Sequence, residues 1–160
     1  MVVALDVAFQ QVSHLGGADM QWWPIAKHLV DFLAERPENS GLEVYAGTKG
    51  NAKPAPCLEV LWDEEGNLSV HKSNEGKVVL WVDIWLRSDE IDDAIAYQQQ
   101  FDAQVNIISC LKEWQKKLSA DLAIIGKVDC PGIVSEGTIR RPTFGCRMIL
   151  EIEWRKSRYE

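Results

Sequence analysis

The sequence lacks the short motifs that usually mark a catalytic or metal centre. It has no C-x-x-C pair, no H-x-x-x-H or H-E-x-x-H pair and no G-x-S-x-G elbow. Zinc ligands normally lie two to four residues apart, and a nucleophile needs a base and a carboxylate beside it. We therefore expect a non-enzymatic protein with no cofactor and no metal. The isolated residues are Cys57, Cys110, Cys130, Cys146, His14, His28 and His71.

Long apolar runs and a secretory start are also missing. No stretch approaches the roughly 20 apolar residues that a membrane helix needs. The first residues, MVVALD, lack the basic start and small-residue cleavage site of a signal peptide. These features predict a cytoplasmic protein that does not associate with membranes.

Positive charge is scarce, except near the end of the chain. The 160 residues carry a net charge of −7, which argues against a nucleic-acid partner, because such binding depends on Lys and Arg neutralising phosphates. Residues 138–160 nevertheless have a balance of +3. This basic end is either ordinary solvated surface or an edge that meets an acidic partner or a neighbouring copy.

What the sequence does have is the composition of one globular domain spanning 1–160, with 46% hydrophobic residues. Apolar periodicity predicts a helical N-terminal segment over 1–37, with helices at 3–15 and from Pro24 to Pro37, and a sheet with a long helix over 56–156. The predicted strands are 42–45, 57–62, 68–71, 77–87, 122–128 and 144–156, and the long helix runs from a cap at Ser88 to Ser119. The segments 46–56 and 129–143 are predicted to be mobile contact loops.

The predicted strands and long helix indicate an α+β fold with one antiparallel or mixed sheet. Alternation along 77–87 and 144–156 gives each of these strands a core-facing side. On the long helix, an apolar stripe at helical spacing is predicted to cover that side of the sheet. The stripe consists of Ala94, Tyr97, Phe101, Val105, Ile108 and Leu111.

Seven tryptophans are the unusual feature of the composition. Trp81 and Trp85 alternate with Asp83 on the side of their strand that faces away from the predicted core. A large apolar area rimmed by charge is typical of an interface core. The N-terminal helices, another subunit or a sugar are the alternative occupants of this side. A head-to-tail contact would join it to the basic end, so the candidate interface residues are Trp81, Asp83, Trp85, Arg140, Arg141, Arg147 and Arg155.

The order of elements from residue 56 to residue 155 resembles the tail-terminator (tail-completion) proteins of long-tailed phages and prophages. A proline introduces a strand at PCLEVLW, 56–62, and an aromatic-rich strand at 78–86 ends where the acidic stretch WLRSDEID, 85–92, begins. A long helix, a variable loop and a terminal alternating strand at 147–154 follow. The similarity is one of layout and spacing rather than of a short signature.

The resemblance implies a structural protein that forms an oligomeric ring, usually a hexamer, at the junction between tail and head. Its partners would be further copies of itself, the tail tube and the head connector, and the cytoplasmic chain would end up in a virion or tail-like particle. Two other hypotheses stay open at this point. One is a small ligand- or glycan-binding module that uses exposed tryptophans, and the other is an enzyme without a recognisable motif.

Overall fold

The computed structural model describes residues 22–47, 56–62, 75–87, 92–135 and 143–157. The segments 3–15, 48–55, 68–71 and 136–142, which carried a predicted helix, strand or loop, lie outside the described residues. The described elements are α1 (Trp22–Glu35), a 3-10 turn (Pro37–Asn39), β1 (Glu43–Ala46), β2 (Cys57–Trp62), β3 (Glu75–Arg87), α2 (Asp93–Leu122), β4 (Ile124–Ser135) and β5 (Thr143–Lys156).

The strands form one five-stranded sheet in the order β1-β2-β3-β5-β4. β2, β3, β5 and β4 pair in antiparallel fashion, whereas β1 pairs with β2 in parallel, so the sheet is mixed. The predicted α+β fold, with one sheet and one long helix, is confirmed. Neither described helix combines the length and apolar character required to cross a bilayer.

Both described helices pack on the same side of the sheet. Ile25, Leu29 and Leu33 of α1 share one core cluster with Trp114 and Leu118 of α2. The sheet supplies alternate residues of its strands to this cluster, as the period-2 pattern predicted: Leu58, Val60, Val78, Leu80, Val82, Ile84, Cys146, Met148, Leu150, Ile152 and Trp154. We call this side the core face and the other side the outer face.

The predicted core-facing stripe of the long helix is wrong, apart from Leu111. Tyr97, Phe101, Val105 and Ile108 are about half exposed, and Ala94 is also exposed. The helix is rotated by about one residue, or 100°, from the predicted orientation. Its buried side consists of Ala96, Gln100, Ile107, Cys110, Leu111, Trp114 and Leu118.

The long helix also starts and ends later than the sequence predicted. Asp92 is its N-cap, with the carboxylate accepting a hydrogen bond from the backbone N–H of Ile95 at 3.0 Å. The predicted cap, Ser88, lies outside the described residues. The helix continues to Leu122 and ends because Ala123 adopts the left-handed conformation with φ 51°.

The predicted loop after residue 129 begins as strand. β4 continues to Ser135 through an irregularity between Asp129 and Gly132. Earlier in β4, α2 satisfies amides that β5 does not: Gln115 accepts from Val128 N–H at 3.0 Å, and Ser119 accepts from Gly126 N–H at 3.2 Å. The helix therefore blocks this part of the sheet edge against further strand pairing.

A polar contact joins the two helices across the core. The indole N–H of the fully buried Trp114 donates to Nδ1 of His28 at 3.0 Å. Nδ1 therefore carries no proton, and the Nε2 proton donates to Asp121 at 2.8 Å. Both ring nitrogens are engaged, so His28 links α1 to α2 and has no nitrogen free to act as a base.

Replacing His28 by Ala should lower the free energy of unfolding by about 1–3 kcal/mol, because the buried Trp114 N–H loses its acceptor. Urea denaturation measures the change. Lys27→Ala, at an exposed position one residue earlier, is the matched control and should change stability by less than about 0.5 kcal/mol. Equal effects of the two substitutions would show that the indole hydrogen bond contributes nothing.

Candidate interaction surface

The outer face carries the candidate interface residues that the structure describes. Trp81, Asp83 and Trp85 of β3 stand beside Ile149, Arg147 and Gly145 of β5 in the antiparallel register. Neither α1 nor α2 lies on this side, because both contribute to the core face. The helix Trp22–Glu35 is therefore not the occupant of this side, whereas the other predicted N-terminal helix, 3–15, lies outside the described residues.

An ion pair holds the centre of the outer face. Arg147 donates from Nε and from a terminal nitrogen to the two carboxylate oxygens of Asp83, both at 2.8 Å. The Asp83 side chain is 6% exposed and that of Arg147 38%, so water screens the pair only from the arginine side. Such a two-point contact is the strong form of an Arg–carboxylate pair.

Trp81 is part of the same arrangement. The guanidinium carbon of Arg147 lies 3.9 Å from the centroid of the Trp81 ring. Stacking of this kind combines cation–π attraction with packing of a weakly hydrated group. One side of the Trp81 ring is consequently occupied within the chain, and Arg147 offers less free charge to a partner than the sequence suggested.

Trp85 lies over the backbone of β5. A Cβ added at Gly145 would come within 2.9 Å of Cε3 of Trp85 and would also clash with the carbonyl oxygen of Ile84. Only glycine allows the indole to rest this close to the strand. The aromatic ring in turn covers a backbone segment that has no side chain of its own.

Of the three remaining candidate interface residues, one is described by the structure and two are not. Arg155 is exposed on β5, opposite Glu75 of β3. Arg140 and Arg141 lie outside the described residues. Of the predicted contact loops, 129–135 is strand and Ala46 ends β1, while most of the rest also lies outside the description. The structure thus brings together Trp81, Asp83, Trp85 and Arg147.

Two features of the surface were missed at the level of sequence. Glu59 of β2 is buried directly beside Asp83, with 7% of its area exposed. The register of β2 against β3 places it there, and no sequence pattern indicated its burial. The second feature is the exposed apolar side of α2, which was predicted to be core.

Two cysteines of the described residues, Cys110 and Cys130, lie fully or partly buried. Burial raises the pKa of the Cys130 thiol, and burial also raises that of Cys110. A raised pKa leaves little thiolate at neutral pH, which makes a thiol a poor nucleophile. Within the described ranges, no group of three or more His, Cys, Asp or Glu side chains could hold a metal ion.

Arg147→Met should lower the free energy of unfolding by roughly 3 kcal/mol, because it leaves the buried Asp83 carboxylate without its cation. The double variant Asp83→Leu with Arg147→Met should recover most of that loss, since neither charge of the pair then remains. Chemical denaturation of both variants provides the comparison. A double variant as unstable as the single one would mean that the ion pair is not the cause.

Gly145→Ala should destabilise the protein by roughly 1–3 kcal/mol, since the new methyl group forces Trp85 and the facing backbone apart. Gly132→Ala is the matched control on the same sheet, where an added Cβ meets nothing closer than 3.8 Å. Thermal unfolding and near-UV circular dichroism, which reports on the Trp85 environment, distinguish the two. Unchanged spectra and stability in Gly145→Ala would contradict the close contact.

In comparisons with known proteins, the chain matches no protein-family model and no curated protein sequence.

Proposed function

We propose that the protein is a non-enzymatic structural subunit of the tail-terminator type, which forms an oligomeric ring at the junction of a phage or prophage tail with the head. The observation that carries the proposal is the placement of both described helices on the core face. The partly exposed Trp81 and Trp85 are left on the outer face around a rigid ion pair.

This arrangement suits a subunit contact. Aromatic residues and arginine are enriched at the centres of protein interfaces, and side chains held in place lose little entropy when a partner binds. A head-to-tail contact between the outer face and the basic end of the next copy generates a ring when the rotation closes. Arg155 and Lys156 are described residues of that basic end that are exposed.

The element order supports the same assignment. The described elements include those for which the resemblance to tail terminators was stated: a strand after Pro56, an aromatic-rich strand, a long helix and a terminal strand. β4 is an additional strand between the helix and the last strand. Under this proposal the partners are further copies of the chain in the ring, together with tail-tube and head-connector proteins. Genes for tail and head proteins beside its own gene would be the matching genomic context.

The glycan-binding alternative has less support. A sugar-stacking site needs an aromatic face open to the ligand, whereas Arg147 occupies one side of Trp81 and Trp85 lies on Gly145. An enzyme would need a base or nucleophile that is free to react. His28 has both nitrogens engaged, and the thiols of Cys110 and Cys130 have raised pKa values.

The double variant Trp81→Ser with Trp85→Ser should abolish ring assembly while the far-UV circular dichroism stays like that of the wild type. Electron microscopy and native mass spectrometry at high protein concentration reveal the rings. Trp23→Ser, which removes a partly buried tryptophan from α1, is the control and should leave rings intact. Wild-type protein that forms no ring alone or on tail tubes, or a double variant that still forms rings, would contradict the proposal.

A further inference from the structure

A straight apolar stripe runs along the exposed side of α2 and has no assigned role. Tyr97, Phe101, Val105 and Ile108 are 44–58% exposed and follow one another at intervals of four, four and three residues. This spacing keeps the four side chains on one side of a helix, along about 16 Å of its axis. We call these four residues the helix stripe.

A further exposed apolar side chain lies on β4, which pairs with the strand that this part of the helix contacts. Gln104, next to the stripe, contacts Sγ of Cys146 through its side-chain amide at 3.1 Å, and Cys146 pairs with Ser135 of β4. Ile133, two residues before Ser135 and on the core face, is 40% exposed. An apolar stripe of the size of the helix stripe is rarely left open by a monomer.

We propose that the helix stripe binds the same stripe of a second copy, with the two α2 helices antiparallel about a twofold axis. The pattern of the stripe is symmetric in the way that such a contact requires. Phe101 and Val105 lie at equal distances on either side of Ala103, and Tyr97 and Ile108 do so to within one residue. In an antiparallel pair, Tyr97 therefore lies opposite Ile108 of the second copy, and Phe101 opposite Val105.

Charge supports the antiparallel direction. The sequence around the N-terminus of α2 is acidic, and the described N-cap Asp92 is exposed there, whereas Lys112 and Lys116 lie beyond the stripe on exposed positions. Lys112 follows Ile108 by one turn on the same line of the helix. The antiparallel arrangement brings the acidic start of each helix beside these lysines of the other copy. A parallel arrangement would place acid beside acid and lysine beside lysine.

The middle of the stripe carries little charge, which also favours a second copy over a charged partner. Between Tyr97 and Leu111, Asp102 is the single charged residue, and its carboxylate accepts a hydrogen bond from Gln98 at 2.9 Å. Asp102 lies off the stripe, so no charged side chain stands between the facing apolar side chains of the two copies. The contact differs from the proposed ring contact because it uses α2 rather than the outer face, so each can be removed separately.

Sedimentation velocity over a range of protein concentrations tests the proposal, with Phe101→Glu as the disrupting variant. Wild type should form a species of twice the 18.1 kDa chain mass, and Phe101→Glu should weaken its formation by about 30-fold or more, because a charge replaces the central apolar contact. Ile95→Glu is the matched control: Ile95 is 47% exposed on the same helix but lies off the stripe. It should leave self-association unchanged.

Engineered cysteines test the direction. Under mild oxidation, a mixture of Tyr97→Cys and Ile108→Cys proteins should give a disulfide-linked heterodimer, because the two positions face each other. Each variant alone should give no link beyond that of the wild type, since its own two copies of the cysteine lie about 16 Å apart. Self-linking of Tyr97→Cys would indicate a parallel pair and overturn the proposed geometry.

Several outcomes would overturn the pairing altogether. A wild type that stays monomeric at every concentration would overturn it. A Phe101→Glu variant that associates as strongly as Ile95→Glu would also overturn it. Loss of rings without loss of the twofold species, in Trp81→Ser with Trp85→Ser, would instead support the pairing, because it shows that the two contacts are separate. Loss of both species in that variant would assign the association to the outer face and overturn the role of the stripe.

Discussion

The side chains that the second half of α2 buries determine which side of the whole helix faces the sheet. Trp114 and Leu118 are fully buried, and Ile107 and Leu111 continue the same line. A continuous α-helix cannot rotate one half relative to the other, so this line fixes the orientation of the first half as well. The first half then places Ala96 and Gln100 inward, while the larger apolar side chains of the stripe point outward.

The two sides of the sheet are consequently stabilised in different ways. The core face is closed by two helices over branched and aromatic side chains, and its main polar link is the Trp114–His28–Asp121 chain between those helices. The outer face is organised around the Asp83–Arg147 ion pair, with Trp81 stacked on the guanidinium. This ion pair favours one arrangement of the neighbouring side chains, because breaking it would leave a buried carboxylate without its cation.

These features give the proposed assembly two independent contacts. The outer face of the sheet offers a preorganised aromatic and arginine surface for a head-to-tail contact, and the helix stripe offers a self-complementary surface for a twofold contact. The two surfaces lie on different elements, β3 and β5 on one side and α2 on the other. Head-to-tail and twofold contacts follow different symmetry rules, so one subunit can use both without competition between them.

Local patterns in the sequence determined the elements and the inner side of the strands. Alternation over 77–87 and 144–156 predicted that the even-numbered residues from Val78 to Ile84 and from Cys146 to Trp154 face the core. Their burial confirms this prediction. The rotation of α2 was decided only by the tertiary structure. The buried positions in the first half of α2 hold Ala96 and Gln100, which are small or polar. The larger apolar residues there lie on the exposed side, so apolar periodicity predicted the wrong side as core. The pairing of Asp83 with Arg147, 64 positions apart, likewise depends on the register of β3 against β5, because nothing local in either strand specifies its partner.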